Sequence, residues 1–232
     1  MRRLAVLLIL LNSLAITQTF PKGEYESALD NDVVSVYKVD LPSRASVSAF
    51  QSGHDTFWVS VTDATVRFSL QQGTIDAQFR PGDARFFPSF DTKLLTNIGS
   101  TEFRGVMVTL KPRALISSGC ECTGNTGKTI CGCKGASHLE SLWAFSMGDV
   151  TLAGTSLDPN QAFRSAAVRD DMLLVAVSDI DLQDETAADS GSEMMHNSPM
   201  HLKSGDAIWI KGGRHRFKNA GSASARFVTF EF

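Results

Sequence analysis

The chain's four cysteines stand in one short stretch, as Cys120-x-Cys122 and Cys131-x-Cys133. Thiols placed this way have two chemistries open to them. In an oxidising compartment they pair as disulfides; otherwise four thiolates hold zinc or copper. Zinc clusters more often put two residues between paired cysteines, and here a single residue intervenes, so disulfides are the preferred reading and metal the alternative. Nested bridges, Cys120–Cys133 and Cys122–Cys131, suit a hairpin, because residues two apart share one face of a strand. A crossed pairing stays open. Each bridge closes a short loop and would stabilise by about 2–3 kcal/mol, chiefly within this stretch. Nearby, Gly127-Lys128-Thr129 resembles the end of a phosphate-binding loop, but Cys122 stands where that loop needs glycine, which excludes a nucleotide site.

The compartment follows from the N-terminus. Arg2 and Arg3 precede an apolar run from Leu4 to Leu11, and the small residues Ser13, Ala15 and Thr17 offer a cleavage site. Residues 1–17 therefore read as a signal peptide, the run being short for a membrane span. A secreted or periplasmic product with oxidised thiols and no membrane span in its mature chain is the expectation. The formal charge of −3 lacks the basic excess of a nucleic-acid surface.

The elements that position these groups repeat. Val59-Ser60-Val61-Thr62-Asp63 matches Val175-Ala176-Val177-Ser178-Asp179, and Val34-Ser35-Val36 matches Val150-Thr151-Leu152 at the same spacing. Gly82-Asp83-Ala84 matches Gly205-Asp206-Ala207 at a longer spacing, so the second copy carries a short insertion. Within each copy, apolar and polar residues alternate in short runs between Gly- and Pro-bearing turns, which predicts antiparallel strands. A repeat this long means tandem domains. The expectation is an all-β chain of two small barrels over 22–113 and 141–232, with the cysteine hairpin at 114–140 between them.

Gly82 through Pro88 with Asn97, and Gly205, Gly212, His215 with Asn219, resemble the second sequence motif of cupins. The resemblance spans most of both copies and implies two tandem cupin-like jelly rolls, a bicupin. It also implies where a metal would sit: two histidines and a glutamate from one strand pair, and a histidine from the second motif. In the first copy those positions fall at Ala49, Gln51, Thr56 and Lys93. In the second they fall at Ser165, Ala167, Met172 and His215. A single imidazole survives, so the expectation is a bicupin whose metal sites are lost and which binds a ligand or serves a structural role. The alternative is a metal-dependent dioxygenase or isomerase holding a divalent transition metal through His215, His201 and His196. Cupins include enzymes, storage proteins and binders, so the resemblance leaves activity open.

Candidate ligand contacts are His215, Lys93, Arg214 and Trp209. Trp58 and Trp209 lie in predicted strands and are read first as core, second as a stacking platform. Arg85, Lys93, Arg214, Arg216 and Lys218 surround the two second motifs and read as surface charge, or as an anion-attracting rim if they face the barrel mouths. Asp181 to Pro199, acidic and rich in Ser and Ala, reads as a solvated loop. The partner is an unknown small molecule or protein.

Overall fold

The computed structural model describes residues 23–48, 54–70, 73–87, 92–111, 143–147, 150–164, 171–186, 196–213 and 215–232. The cysteines, residues 1–17 and Arg214 lie outside them. Among the described residues there is no helix, and none therefore long and apolar enough to cross a membrane.

The first half carries β1 (Glu24–Asp30), β2 (Val34–Leu41), β3 (Ser46–Ser48), β4 (Thr56–Ser60), β5 (Ala64–Leu70), β6 (Gly73–Phe79), β7 (Ala84–Phe87), β8 (Thr92–Asn97) and β9 (Phe103–Leu110). The second carries β10 (Trp143–Met147), β11 (Val150–Leu157), β12 (Ala162–Arg164), β13 (Met172–Ala176), β14 (Ile180–Thr186), β15 (His196–Leu202), β16 (Ala207–Ile210), β17 (Arg216–Asn219) and β18 (Ala225–Glu231). Each half is a five-stranded sheet over a four-stranded one. The orders are β1-β2-β9-β4-β7 over β3-β8-β5-β6, and β10-β11-β18-β13-β16 over β12-β17-β14-β15. Every described strand pair is antiparallel, for example β2 with β9 and β11 with β18.

The two five-stranded sheets pack against each other. Alternate residues of their strands point into the space between the halves: Val34, Val36, Phe57, Val59, Phe86, Val106 and Val108 from one side meet Val150, Leu152, Leu173, Val175, Val228 and Phe230 from the other in one buried cluster. The rings of Phe57 and Phe230 stand 5.4 Å apart, edge to face. Lys38 Nζ reaches Asp206 Oδ1 at 2.6 Å across the same boundary. The intervening residues of each strand point into their own barrel. A strand covered on both faces must be apolar along its whole length, which accounts for the uninterrupted burial of Met172-Leu173-Leu174-Val175-Ala176.

The motif residues hold the turns in both copies alike. Gly82 and Gly205 share a φ of 91°, a conformation that disfavours any side chain. The following Asp83 and Asp206 each accept from the backbone N–H three residues back, at 2.9 and 2.7 Å. Asn97 is fully buried: its Nδ2 donates to Leu41 O and Thr101 O, and its Oδ1 accepts from Gly99 N. Asn219 does the same with Leu157 O, Ala223 O and Gly221 N, at 2.8, 2.8 and 2.9 Å.

One expectation needs correction. Asp181 to Pro199 is not a loop throughout. Its two ends are strands, with Asp181 paired to His201, Gln183 to Pro199 and Asp184 to Ser198. Only Leu182 breaks the polar run, and one apolar residue is too little to announce a strand. Pro199 is tolerated because β15 is an edge strand.

Candidate functional site: the interior of the second barrel

Backbone register gives residue-by-residue equivalence between the barrels. Tyr37 opposes Met107 as Ala153 opposes Thr229; Trp58 opposes Met107 as Leu174 opposes Thr229; Phe68 opposes Leu95 as Asp184 opposes Phe217. At mid-height, then, Tyr37, Trp58, Phe68 and Met107 in the first barrel become Ala153, Leu174, Asp184 and Thr229 in the second. The first barrel is filled by rings. Phe68 stacks on Phe87 at 4.3 Å, and Trp58 contacts both Phe68 and Phe103. The second barrel is packed toward its base by Leu157, Ile180, Leu182, Ala225 and Phe227. Beside these residues the same interior carries the small or polar Ala153, Thr155, Asp184 and Thr229 among apolar Leu174, Ile208, Phe163 and Phe217. Phe217 and Phe163 stand where the first barrel has Leu95 and Val47.

The polar groups on that wall are unusual. Asp184 Oδ2 lies 2.8 Å from His215 Nδ1, with both side chains nearly buried at 11% and 12% exposure. His215 Nε2 lies 2.7 Å from Lys211 O, and the imidazole stacks on Phe217 at 5.5 Å. Both ring nitrogens therefore face oxygen atoms. Asp184 Oδ1 is buried with no hydrogen-bond partner, and so is Thr155 Oγ1. Thr155 and Thr229 share the inward face of β11 and β18, since Leu152 and Phe230, one residue out of phase, belong to the core between the barrels. Thr229 Oγ1 makes only a 3.4 Å contact with Ala153 O.

The turn that His215 touches is anchored from outside by Asp171. Its carboxylate accepts from Trp209 Nε1, Lys211 Nζ and Gly212 N at 3.1, 3.0 and 2.9 Å. Burial alone would raise the Asp171 pKa; these three donors and the Lys211 charge outweigh it and hold the carboxyl below its ordinary 3.8. The stabilisation is fully present above that pH and is lost as pH falls through the lowered value. Acid titration followed by tryptophan fluorescence is expected to show the Trp209 environment opening below pH 3.8, and Asp171→Asn to remove that step.

The other candidates disperse. Trp209 faces the core between the barrels, packed on Phe232 at 5.3 Å, while Ile208 and Ile210 face the barrel interior. Trp58 fills the first barrel. Lys93, at the position of His215, is exposed. Arg216 pairs with Glu185 on the outer face of β17 and β14. Arg85 holds its guanidinium 4.9 Å over Phe79 in the first barrel; burial lowers its pKa, against the opposing Asp83 charge. His201 pairs with Asp181 at 2.6 Å on the outer face, exposed, so the structure does not bring it to His215. His196 opposes Thr186 in the backbone register. Among the described residues no cluster of three or more His, Cys, Asp or Glu comes together. Thr155, Thr229 and Asp184 are the site residues that motif reasoning passed over. Their signal was present as breaks between the copies, polar in one where the other is aromatic or apolar.

No protein-family model matches the chain, and no curated protein matches it in sequence. Solved structures do. AerE from Microcystis aeruginosa superposes with a TM-score of 0.65 over 92% of this chain and 94% of its own, at 9% identity. A deletion mutant of Bacillus subtilis oxalate decarboxylase gives 0.62 over 90% and 72%, at 10% identity. Vicilin from Capsicum annuum gives 0.61 over 87% and 76%, at 12% identity. The fold is that of the cupins. Its tandem arrangement, two barrels meeting through their larger sheets, makes the chain a bicupin in architecture. Neighbours with this fold include enzymes as well as vicilin, so the fold does not by itself decide activity.

Proposed function

We propose that the chain is an exported bicupin in which the first barrel is a packed scaffold and the second binds a small molecule without the help of a metal. The observation that carries this reading is the replacement of Tyr37, Trp58, Phe68 and Met107 by Ala153, Leu174, Asp184 and Thr229 at matched register. Support for metal-independent binding comes from Thr56 and Lys93 in one copy and Met172 in the other at positions where the resemblance calls for ligands, and from the engagement of both His215 nitrogens. One imidazole is too little to offset dehydration of a divalent cation. Export, with Cys120, Cys122, Cys131 and Cys133 oxidised, belongs to the same reading and rests on the sequence of residues 1–17.

The test is elemental analysis of the full chain purified without chelators, beside His215→Ala. Neither protein is expected to carry stoichiometric iron, manganese, nickel or zinc. Stoichiometric metal in the wild type that is lost in the variant would replace this reading with a metal-dependent one. Mass spectrometry of unreduced, exported protein is expected to show a processed N-terminus and no free thiol.

A further inference from the structure

Resting on that reading, we infer that the second barrel's ligand is a small neutral compound with at least two hydroxyl groups on an apolar frame, held by Asp184 Oδ1 and Thr155 Oγ1. Both atoms are buried without a hydrogen-bond partner, and their residues are only 9% and 4% exposed. Unpaired polar atoms at this depth are costly, by more for a carboxylate than for a hydroxyl. A ligand that supplies their partners recovers that cost on binding. The carboxylate can only accept, so the ligand must donate to it; the Thr155 hydroxyl can do either.

Charge selects within the donors. Asp184 Oδ2 is already engaged by His215 Nδ1 at 2.8 Å. An ammonium would have to share that one carboxylate with His215, and a carboxylate would meet the lone pairs of Asp184 Oδ1. Glu231, on the same face at the end of β18, has a partner of its own. A neutral hydroxyl completes Asp184 at no charge cost. The rest of the wall is apolar, with Leu174, Ile208, Phe163 and Phe217 on either side, so the molecule between the two polar contacts should be hydrocarbon.

Three probes with one frame separate these demands: trans-1,2-cyclohexanediol, cyclohexylamine and cyclohexanecarboxylate, titrated into the full chain by calorimetry and ligand-observed NMR. The diol is expected to bind at least about tenfold more tightly than either charged analogue. Thr155→Val, which keeps the shape and removes the hydroxyl, is expected to weaken the diol about five- to tenfold, and Asp184→Asn to do at least as much. Thr229→Met, which restores the first barrel's residue, is expected to abolish binding. A preference for the amine or the carboxylate would overturn the inference, as would diol binding indifferent to Thr155→Val and Asp184→Asn, which would mean those atoms hold only water; either result would leave the proposed binding role of the second barrel standing. Absence of binding by all three probes, or binding unaffected by Thr229→Met, would remove the functional reading itself.

Discussion

Phe57→Ala is expected to lower the unfolding free energy by about 3–5 kcal/mol and to move the unfolding of both halves together. Phe57 is fully buried in the core between the barrels, against Phe86 at 5.1 Å and Phe230 at 5.4 Å. Truncation leaves a cavity bounded by strands from both halves, whose positions are fixed by their own ladders, so little collapse can relieve it. The measurement is denaturant unfolding monitored by amide exchange in β5 and β14, which belong to different barrels. Simultaneous loss of protection in both supports one cooperative unit. If β14 keeps its protection while β5 loses it, the barrels are independent and the shared core contributes little.

The second large effect is expected at Asn219. Replacing it with Ala deletes two donors and one acceptor at once and leaves Leu157 O, Ala223 O and Gly221 N without their partners. A buried unsatisfied group costs about 1–3 kcal/mol, so a loss of at least about 3 kcal/mol is expected, measured by chemical denaturation. Asn219→Asp is the sharper test. It keeps the volume and the acceptor but turns an oxygen toward two carbonyl oxygens, so it is expected to be worse than Ala at neutral pH. An Asp variant more stable than the Ala variant would show that volume, not the hydrogen-bond pattern, is what the position requires. The same ordering is expected at Asn97, whose three bonds match.

These asparagines also mark how much was legible in the sequence. Gly82, Gly205, Asn97 and Asn219 are fixed by local geometry, a positive φ or a three-way clamp, and local geometry writes itself into residue type. The strands read well where one face is apolar and the other polar. Reading failed at β14 and β15, where Asp181, Gln183 and Glu185 alternate with an inward face that carries Asp184 in place of an apolar residue. It also passed over the candidate site. Motif reasoning asks whether expected ligands are present; the second barrel is defined by bulky residues that are missing. Trp209 was legible as core but not as part of this one: alternation fixes that it faces away from Ile208 and Ile210, and only the packing of one barrel on the other shows that this outer face is buried.

The cluster between the barrels is built from the same strands on both sides: β2, β4, β7 and β9 against β11, β13, β16 and β18. Such a self-complementary contact is what a symmetric pair of identical single-barrel chains would form. In such a pair every substitution at the seam appears twice, and the two copies must change in step. Joined in one polypeptide, each side mutates alone. Phe57 can face a seam in which its counterpart is Leu173, and Phe86 one in which its counterpart is Trp209. The same release from symmetry lets one barrel carry Trp58, Phe68 and Met107 inside while its twin carries Leu174, Asp184 and Thr229 at the matched positions, an outcome not open to a homodimer encoded by a single copy.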